Sequence, residues 1–371
     1  MDIIKLLSRT KKENGSDLHL NANCRPVMRI DGTIQELPDE EILSTEVLQS
    51  LLISITNEKQ RQRLFERLNL DFAYVCPEVG RFRVNVLFQR DALSYTFRVI
   101  ATDVAPLSLI GLPDIYAKLS LARKGLILVT GPTGSGKSTT LAAMINYIND
   151  NVSRHIISIE DPIEYIHPNK KSVILQLEIG KDTESFGSAV RNSLRHDPDV
   201  IVVGEMRDLD TISAAVTAAE TGHLVMGTLH TNDATQTVDR VIDVFPYGQQ
   251  DQMRHQMSQV LIGVFSQVLV PRIGKGRAPA CEIMIANSAV RNCIREAKTQ
   301  NLSSVIQVGL KEGMQTLNQA LAALVVENKV EKDQALRFSS DQEQMSKLIK
   351  SLTGGDKPDL SYLSPGPAWK K

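Results

Sequence analysis

The chain has 371 residues, 42% apolar and 23% charged, with a formal net charge of -1. That length asks for two domains and that composition for an ordinary globular fold. Near-neutrality excludes a global attraction to nucleic acid or anionic lipid. The four cysteines, Cys24, Cys76, Cys281 and Cys293, form no C-x-x-C pair. They argue against a zinc ribbon or redox dithiol and for reduced thiols in a cytosolic setting.

The opening "MDIIKLLSRTKKENGSD" has neither the long apolar core nor the small-residue cleavage site of a signal peptide. The most apolar stretch, "VLIGVFSQVLVP", is interrupted by Ser266 and Gln267 and is too short to span a bilayer. The expectation is a soluble, cytoplasmic protein with no direct membrane insertion, acting on a membrane only through a partner.

Residues 1–104 carry no phosphate-binding pattern and read as a small antiparallel sheet with helices packed on it. "GSDLHL" and "PVMRIDGTI" are short strands broken by turns. "STEVLQSLLISI" has helical spacing, with Val47, Leu51 and Leu52 on one face and Ser44 as N-cap. "RFRVNVLFQRDALSYTFRVI" reads as a hairpin turning near Arg90-Asp91. In it Phe82, Val84, Val86 and Phe88 alternate with Arg81, Arg83 and Asn85.

Residues 105–116, rich in proline and glycine, are the expected linker. Residues 117–353 then change character. "LILVTG", "HIISIED", "VIVVGE" and "HLVMGTLH" are near-continuous apolar runs separated by helical segments, the mark of an α/β fold with a largely parallel sheet. After the first run, Leu141, Met144, Ile145 and Ile148 share a helix face. In "DTISAAVTAAETG" the face is Ile212, Ala215, Val216 and Ala219, with Asp210 as cap and Gly222 as left-handed stop. Beyond residue 285 the chain reads as helices, and the Gly/Pro-rich residues 354–371 as a disordered tail.

"GPTGSGKS", residues 131–138, matches G-x-x-x-x-G-K-[ST] between a strand and a helix. A chance match in a chain of this length is on the order of one in a hundred. Bare main chain lets backbone N–H groups wrap a β,γ-diphosphate at a helix N-terminus. Gly131, Pro132, Thr133, Gly134, Ser135, Gly136, Lys137, Ser138 and Thr139 are therefore the candidate nucleotide-binding residues. Lys137 neutralises phosphate oxygens and Ser138 ligates Mg2+.

The run "DPDVIVVGEMRD" has Gly204 where such proteins usually place aspartate, followed by Glu205. Glu205 is read as the residue that positions or deprotonates the attacking water, against the plainer reading of a glutamate paired with Arg207. "IEDPIEYIH" supplies Glu160, Asp161 and Glu164, of which Glu164 is the favoured second catalytic acid. His223 and His230 flank another strand and are candidates for hydrogen bonding to phosphate or to a neighbouring subunit. Arg83, with Arg98 alongside it, could reach a neighbour's γ-phosphate; the plainer reading is a salt-bridged sheet face.

Taken together, "GSDLHL", "GRFRVN", "VTGPTGSGKSTTLAAMI", "SIEDPIEYIH", "LRHDPDVIVVGEMRD", "AETGHLVMGTLHTNDA", "RVIDVFP" and "AVRNCIREAK" resemble one family over residues 2–350. It is the type IV pilus retraction (twitching motility, PilT-like) branch of the secretion ATPases. The resemblance implies a PAS-like N-terminal domain joined to a RecA-like motor, a homo-hexamer using ATP and Mg2+, and an inner-membrane platform protein as partner. It matches Lys137 and Ser138 to the phosphate loop and Glu205 to an atypical second nucleotide motif. It also matches Glu164 to an acidic box, His223 and His230 to a histidine box, and Arg83 and Arg98 to first-domain arginines. "AVRNCIRE" is similar to a C-terminal retraction signature, departing at Val290 and Cys293. Pilus-extension and type II secretion ATPases, by contrast, generally carry a four-cysteine insertion and a longer N-terminal region. The motifs are also compatible with an accessory retraction paralogue; from a different class, a non-hydrolysing nucleotide-dependent scaffold is disfavoured by the intact Lys137 and Glu205.

Overall fold

The structure is a computed structural model that describes residues 1–30, 33–100 and 104–353. The expected disordered tail and the Asp31-Gly32 turn lie outside the described residues. The chain forms two compact units, one of residues 1–103 with 162–166, the other of residues 104–161 and 167 onward.

The first unit runs α1 (Ile3–Lys12), β1 (Gly15–Asn21), β2 (Val27–Ile30), β3 (Thr33–Glu36), α2 (Thr45–Ile55), α3 (Glu58–Arg67), β4 (Asn69–Cys76), β5 (Gly80–Gln89) and β6 (Ala92–Val99). Its six strands are ordered β3-β2-β1-β6-β5-β4, and neighbours are antiparallel. The β5–β6 hairpin turns at Arg90 and Asp91, both left-handed at φ 49 and 62, as a two-residue connection between right-twisted strands requires.

Phe82, Val84 and Val86 on β5 and Tyr95 and Phe97 on β6 are fully buried against Leu48, Leu51 and Leu52 of α2. Burying each such side chain is worth about 1.5–3 kcal/mol, and an exposed ion pair about 0–1 kcal/mol. The apolar alternation thus sets the register and leaves the other face free to carry charge. Ser44 caps α2 as expected, accepting from the Val47 N–H at 3.4 Å. The helix nevertheless turns Leu48, not Val47, most deeply inward, and Tyr95 Oη donates to the Leu48 carbonyl at 2.8 Å.

The second unit runs α4 (Ile115–Ser120), β7 (Gly125–Thr130), α5 (Lys137–Asn151), β8 (His155–Glu160), β9 (Val173–Glu178), α6 (Phe186–Ser193), β10 (Val200–Val203), α7 (Leu209–Glu220), β11 (Leu224–Leu229), α8 (Ala234–Asp243), α9 (Tyr247–Val260), β12 (Leu261–Pro271), β13 (Arg277–Ile285), α10 (Ser288–Arg295), α11 (Leu302–Val308), α12 (Leu317–Val326), α13 (Lys332–Phe338) and α14 (Gln342–Thr353). Its seven-stranded sheet is ordered β13-β12-β7-β11-β10-β8-β9. All pairings are parallel except β12–β13. Every residue of β7, β10 and β11 is buried, as strands covered on both faces must be.

Two sequence expectations change here. The segment expected to be a linker is structural: Leu107, Leu112 and Tyr116 are buried in the second unit's core, and Tyr116 stacks on Phe265 at 3.8 Å. Its prolines and glycine shape a packed loop rather than a free tether. The cap of α7 is Asp208, whose carboxylate accepts from the Thr211 N–H at 2.8 Å. Asp210 lies inside the first turn and pairs with Arg191. Gly222 does stop that helix region in the left-handed conformation, at φ 110. Among the described residues no helix is long and apolar enough to cross a membrane.

Candidate nucleotide site

The loop after β7 is shaped by glycines in conformations that residues with side chains rarely adopt. Gly131, Gly134 and Gly136 all have positive φ, at 138, 79 and 90. A Cβ on Gly131 would stand 2.2 Å from the Gln267 carbonyl oxygen and 2.7 Å from Ser135 Oγ. The helix α5 then starts at Lys137 with no side chain capping its end, so its first N–H groups remain available to an anion.

Lys137 folds back over the loop, its Nζ donating to the Gly131 and Pro132 carbonyls at 2.7 and 3.1 Å. Ser135 Oγ is buried without a hydrogen-bond partner, an arrangement that costs about 1–3 kcal/mol until something accepts or donates there. Ser138 is exposed in the first turn of α5. An orphaned hydroxyl, a cradle that a Cβ would fill, and an accessible serine at a helix start together suit a phosphate chain with a hard cation.

Beside the loop, β10 ends at Val203 and the chain turns sharply. The turn is stitched to both neighbours: Gly204 N–H donates to the Ile159 carbonyl at 2.8 Å and Met206 N–H to the Thr228 carbonyl at 2.9 Å. A Cβ on Gly204 would lie 3.0 Å from the Ile159 carbonyl oxygen, so any side chain there would crowd the turn. Glu205 is consequently the carboxylate offered at this strand end. It pairs with Arg207, and its Oε1 lies 2.8 Å from His230 Nε2.

The plainer reading of Glu205, a partner for Arg207, is thus geometrically real. Arg207 is 72% exposed, so that pair contributes no more than about 1 kcal/mol and is easily exchanged. His230 follows β11, whose last residues pair with the last residues of β7. It therefore meets Glu205 at the loop end of the sheet. His223 precedes β11 at the opposite end, where its Nδ1 lies 2.9 Å from the Ala218 carbonyl oxygen.

Glu160, at the end of β8, accepts from Ser158 Oγ at 2.8 Å and Gln176 Nε2 at 3.0 Å. The Gln176 oxygen takes the His167 N–H at 3.0 Å, so one amide ties both ends of the acidic loop. Asp161 and Glu164 are exposed, and Glu164 belongs to the short segment grouped with the first unit.

In the first unit, Arg83 on β5 sits directly opposite Arg98 on β6. Each faces a carboxylate on the next strand: Arg83 donates to both oxygens of Asp71, with Nε–Oδ2 at 3.0 Å, and Arg98 Nε to Asp17 Oδ1 at 2.8 Å. Arg98 and the hydroxyl of Ser16 draw the Asp17 carboxyl below its usual range, although burial pulls the other way as the largest single influence.

Two polar groups near the loop escape sequence reasoning. Gln267 looks in the sequence like a mere break in an apolar run, yet it is 2% exposed and bonded to the loop. Glu282, on β13, accepts the Ala234 N–H at the start of α8 at 2.8 Å, fixing the helix that follows His230. A polar residue inside an otherwise apolar strand is the available signal for both.

The sheet order and the bare loop at the carboxyl end of β7 define a nucleotide-binding fold of the phosphate-loop class. The type II/IV secretion system protein family matches residues 2–352. The type IV pilus retraction ATPase PilT of Pseudomonas aeruginosa is 46% identical over 335 residues, covering 90% of this chain and 97% of that protein. The type IV pilus ATPase PilU of the same organism is 38% identical over 367 residues, covering 99% and 96%. A crystal structure of the pilus retraction motor PilT with bound ADP superposes with a TM-score of 0.88 at 46% identity, over 94% of this chain and 99% of that one. The chain belongs to the type II/IV secretion system protein family.

Proposed function

We propose that this chain powers type IV pilus retraction by hydrolysing ATP, as a homo-hexamer at the cytoplasmic face of the inner membrane. It would act through a membrane platform protein on pilin disassembly and twitching motility. The observation that carries the reading is the bare loop with Lys137 folded over it, at the same end of the parallel sheet as Glu205, in a chain aligned nearly end to end with a pilus retraction ATPase.

The residues have these roles. Lys137 exchanges neutral carbonyl partners for anionic phosphate oxygens, a favourable trade because charge-assisted hydrogen bonds are about twice as strong as neutral ones. Backbone N–H groups of residues 133–138 hold the β- and γ-phosphates. Mg2+, ligated by Ser138, would offset the charge of the transferred phosphoryl group. Glu205 orients and deprotonates the attacking water once a nucleotide draws Arg207 and His230 toward its own oxygens. Glu164 supplies a second carboxylate, His230 senses phosphate, His223 at the far end of β11 can serve only a neighbouring subunit, and Arg83 and Arg98 act in trans. The first domain is PAS-like, the second a RecA-like motor, and hydrolysis changes the angle between them.

A second reading is an accessory retraction paralogue; the chain also aligns over 367 residues with the type IV pilus ATPase PilU, at 38% identity against 46% for PilT. One experiment separates them. Expressed alone in a strain lacking every retraction ATPase, this chain should restore twitching and Lys137→Ala should not. Restoration only when a second retraction ATPase is present would favour the accessory role. Failure in both settings would sink the retraction reading.

A further inference from the structure

We infer that Gln267 is a positioning residue for nucleotide binding, one that turns the Ser135–Gly136 peptide so that its N–H faces the phosphates. The inference rests on the nucleotide reading of the loop.

Gln267 lies in the middle of β12, the strand that runs parallel beside β7. Its side-chain amide reaches across to the loop at both ends. Nε2 donates to the Ser135 carbonyl at 2.7 Å, and Oε1 accepts from Thr140 Oγ1 at 3.0 Å. The partners dictate the orientation of the amide, because a carbonyl can only accept. Thr140 is itself 2% exposed, so water has little access to compete for either bond.

The consequence for the loop follows from peptide geometry. A trans peptide is planar, with its C=O and N–H pointing in opposite directions. Holding the Ser135 carbonyl toward β12 therefore turns the Gly136 N–H away from β12, to the side on which α5 offers its own first N–H groups. Gly136 follows in the left-handed conformation at φ 90, and a Cβ there would come within 3.3 Å of Gln267 Nε2. The main chain of Gln267 acts at the other end of the loop, its carbonyl oxygen closing the space beside Gly131. One residue of β12 thus backs the loop at Gly131, at Ser135–Gly136 and at Thr140.

The chemistry of the side chain suits this task. A neutral amide holds the carbonyl without placing a charge near the phosphates, whereas a carboxylate would repel the Ser135 oxygen and release the peptide. A merely structural amide would matter equally with and without nucleotide. A residue that aims one phosphate donor should matter for phosphate binding, in the ground and transition states alike, and so raise KM more than it lowers kcat.

The test uses the full chain carrying Gln267→Met, which keeps length and removes both hydrogen bonds, with Gln267→Glu and Thr140→Val alongside. The readouts are kcat and KM for ATP, the Kd of a fluorescent ADP analogue, and the melting midpoint with and without ADP. For Gln267→Met the expected result is a roughly tenfold rise in KM and Kd. The expected kcat stays within about threefold, and most of the ADP-induced rise in Tm disappears. Gln267→Glu should be worse and Thr140→Val milder in the same direction. KM and Kd of Gln267→Met within twofold of wild type, or a fall in kcat with unchanged KM, would overturn the inference. If Gln267→Met does not fold, Thr140→Val decides: a threefold or larger rise in KM supports the inference, and an unchanged KM overturns it. Wild-type chain that fails to bind the ADP analogue would overturn the nucleotide reading itself, a separate outcome.

Discussion

The loop end of the parallel sheet and the arginine face of the antiparallel sheet present charge in opposite ways. Around residues 131–138 the side chains have been stripped away, and backbone N–H groups supply the electrostatics through positive-φ glycines. On the face of β5 and β6, ordinary strand geometry carries long guanidinium side chains, each held by a carboxylate on the neighbouring strand. The first arrangement is contained in one local stretch of the chain. The second consists of side-chain ion pairs whose arginines keep solvent access, Arg98 being 64% exposed although its partner Asp17 is 8% exposed, so Arg98 can leave only for a stronger anionic partner.

That contrast can be broken by substitution. Lys137→Ala should have the largest effect, lowering ATP turnover about a thousandfold, because it removes a preorganised charge at the phosphates. Steady-state phosphate release measures this, and turnover within tenfold of wild type would contradict it. Arg83→Ala should lower turnover about a hundredfold. Mixed with Lys137→Ala chain, it should regain part of that activity if the arginine serves a neighbour's site. No recovery in confirmed mixed oligomers would place the arginine's work elsewhere.

A smaller effect concerns the support of His230. Burial is the main force raising the Glu282 carboxyl from 4.5 to about 7, and Asp233 adds to it, while the Ala234 and Leu317 N–H groups pull it back. The folded chain thus holds a proton that the unfolded chain has lost. Stability from this group is full below about pH 4.5 and declines as pH rises toward 7. Over that window wild type should lose on the order of 1–3 kcal/mol relative to Glu282→Gln. Denaturant melts of the two chains across pH 5–7 check the sign, and parallel curves would refute it.

Legibility in the sequence follows the range of the constraint. The loop is readable because its constraint is local: a run of glycines around one lysine can satisfy few other needs. Strands β7, β8, β10 and β11 are readable because burial on both faces leaves near-continuous apolar runs. β9 is not, since it is an edge strand with Val173 58% exposed and Leu175 38% exposed. The cap of α7 is ambiguous because Asp208 and Asp210 both suit the position, and only the stitched turn after β10 decides where the helix begins. The linker expectation fails because prolines and glycines look alike in a tether and in a packed loop. Gln267 needs the β12–β7 pairing, which brings it to a loop 132 residues away, before its neutral amide acquires a purpose. Arg83 and Arg98 become neighbours as soon as the hairpin turn at Arg90-Asp91 is placed.

The central claim is that the backbone cradle holds the triphosphate while Glu205 readies water. It is tested most directly by comparing ATP affinity and phosphate release in wild type and Glu205→Gln. The account predicts affinity within a few-fold of wild type and turnover reduced about a hundredfold or more. Equal turnover by the two proteins would contradict it.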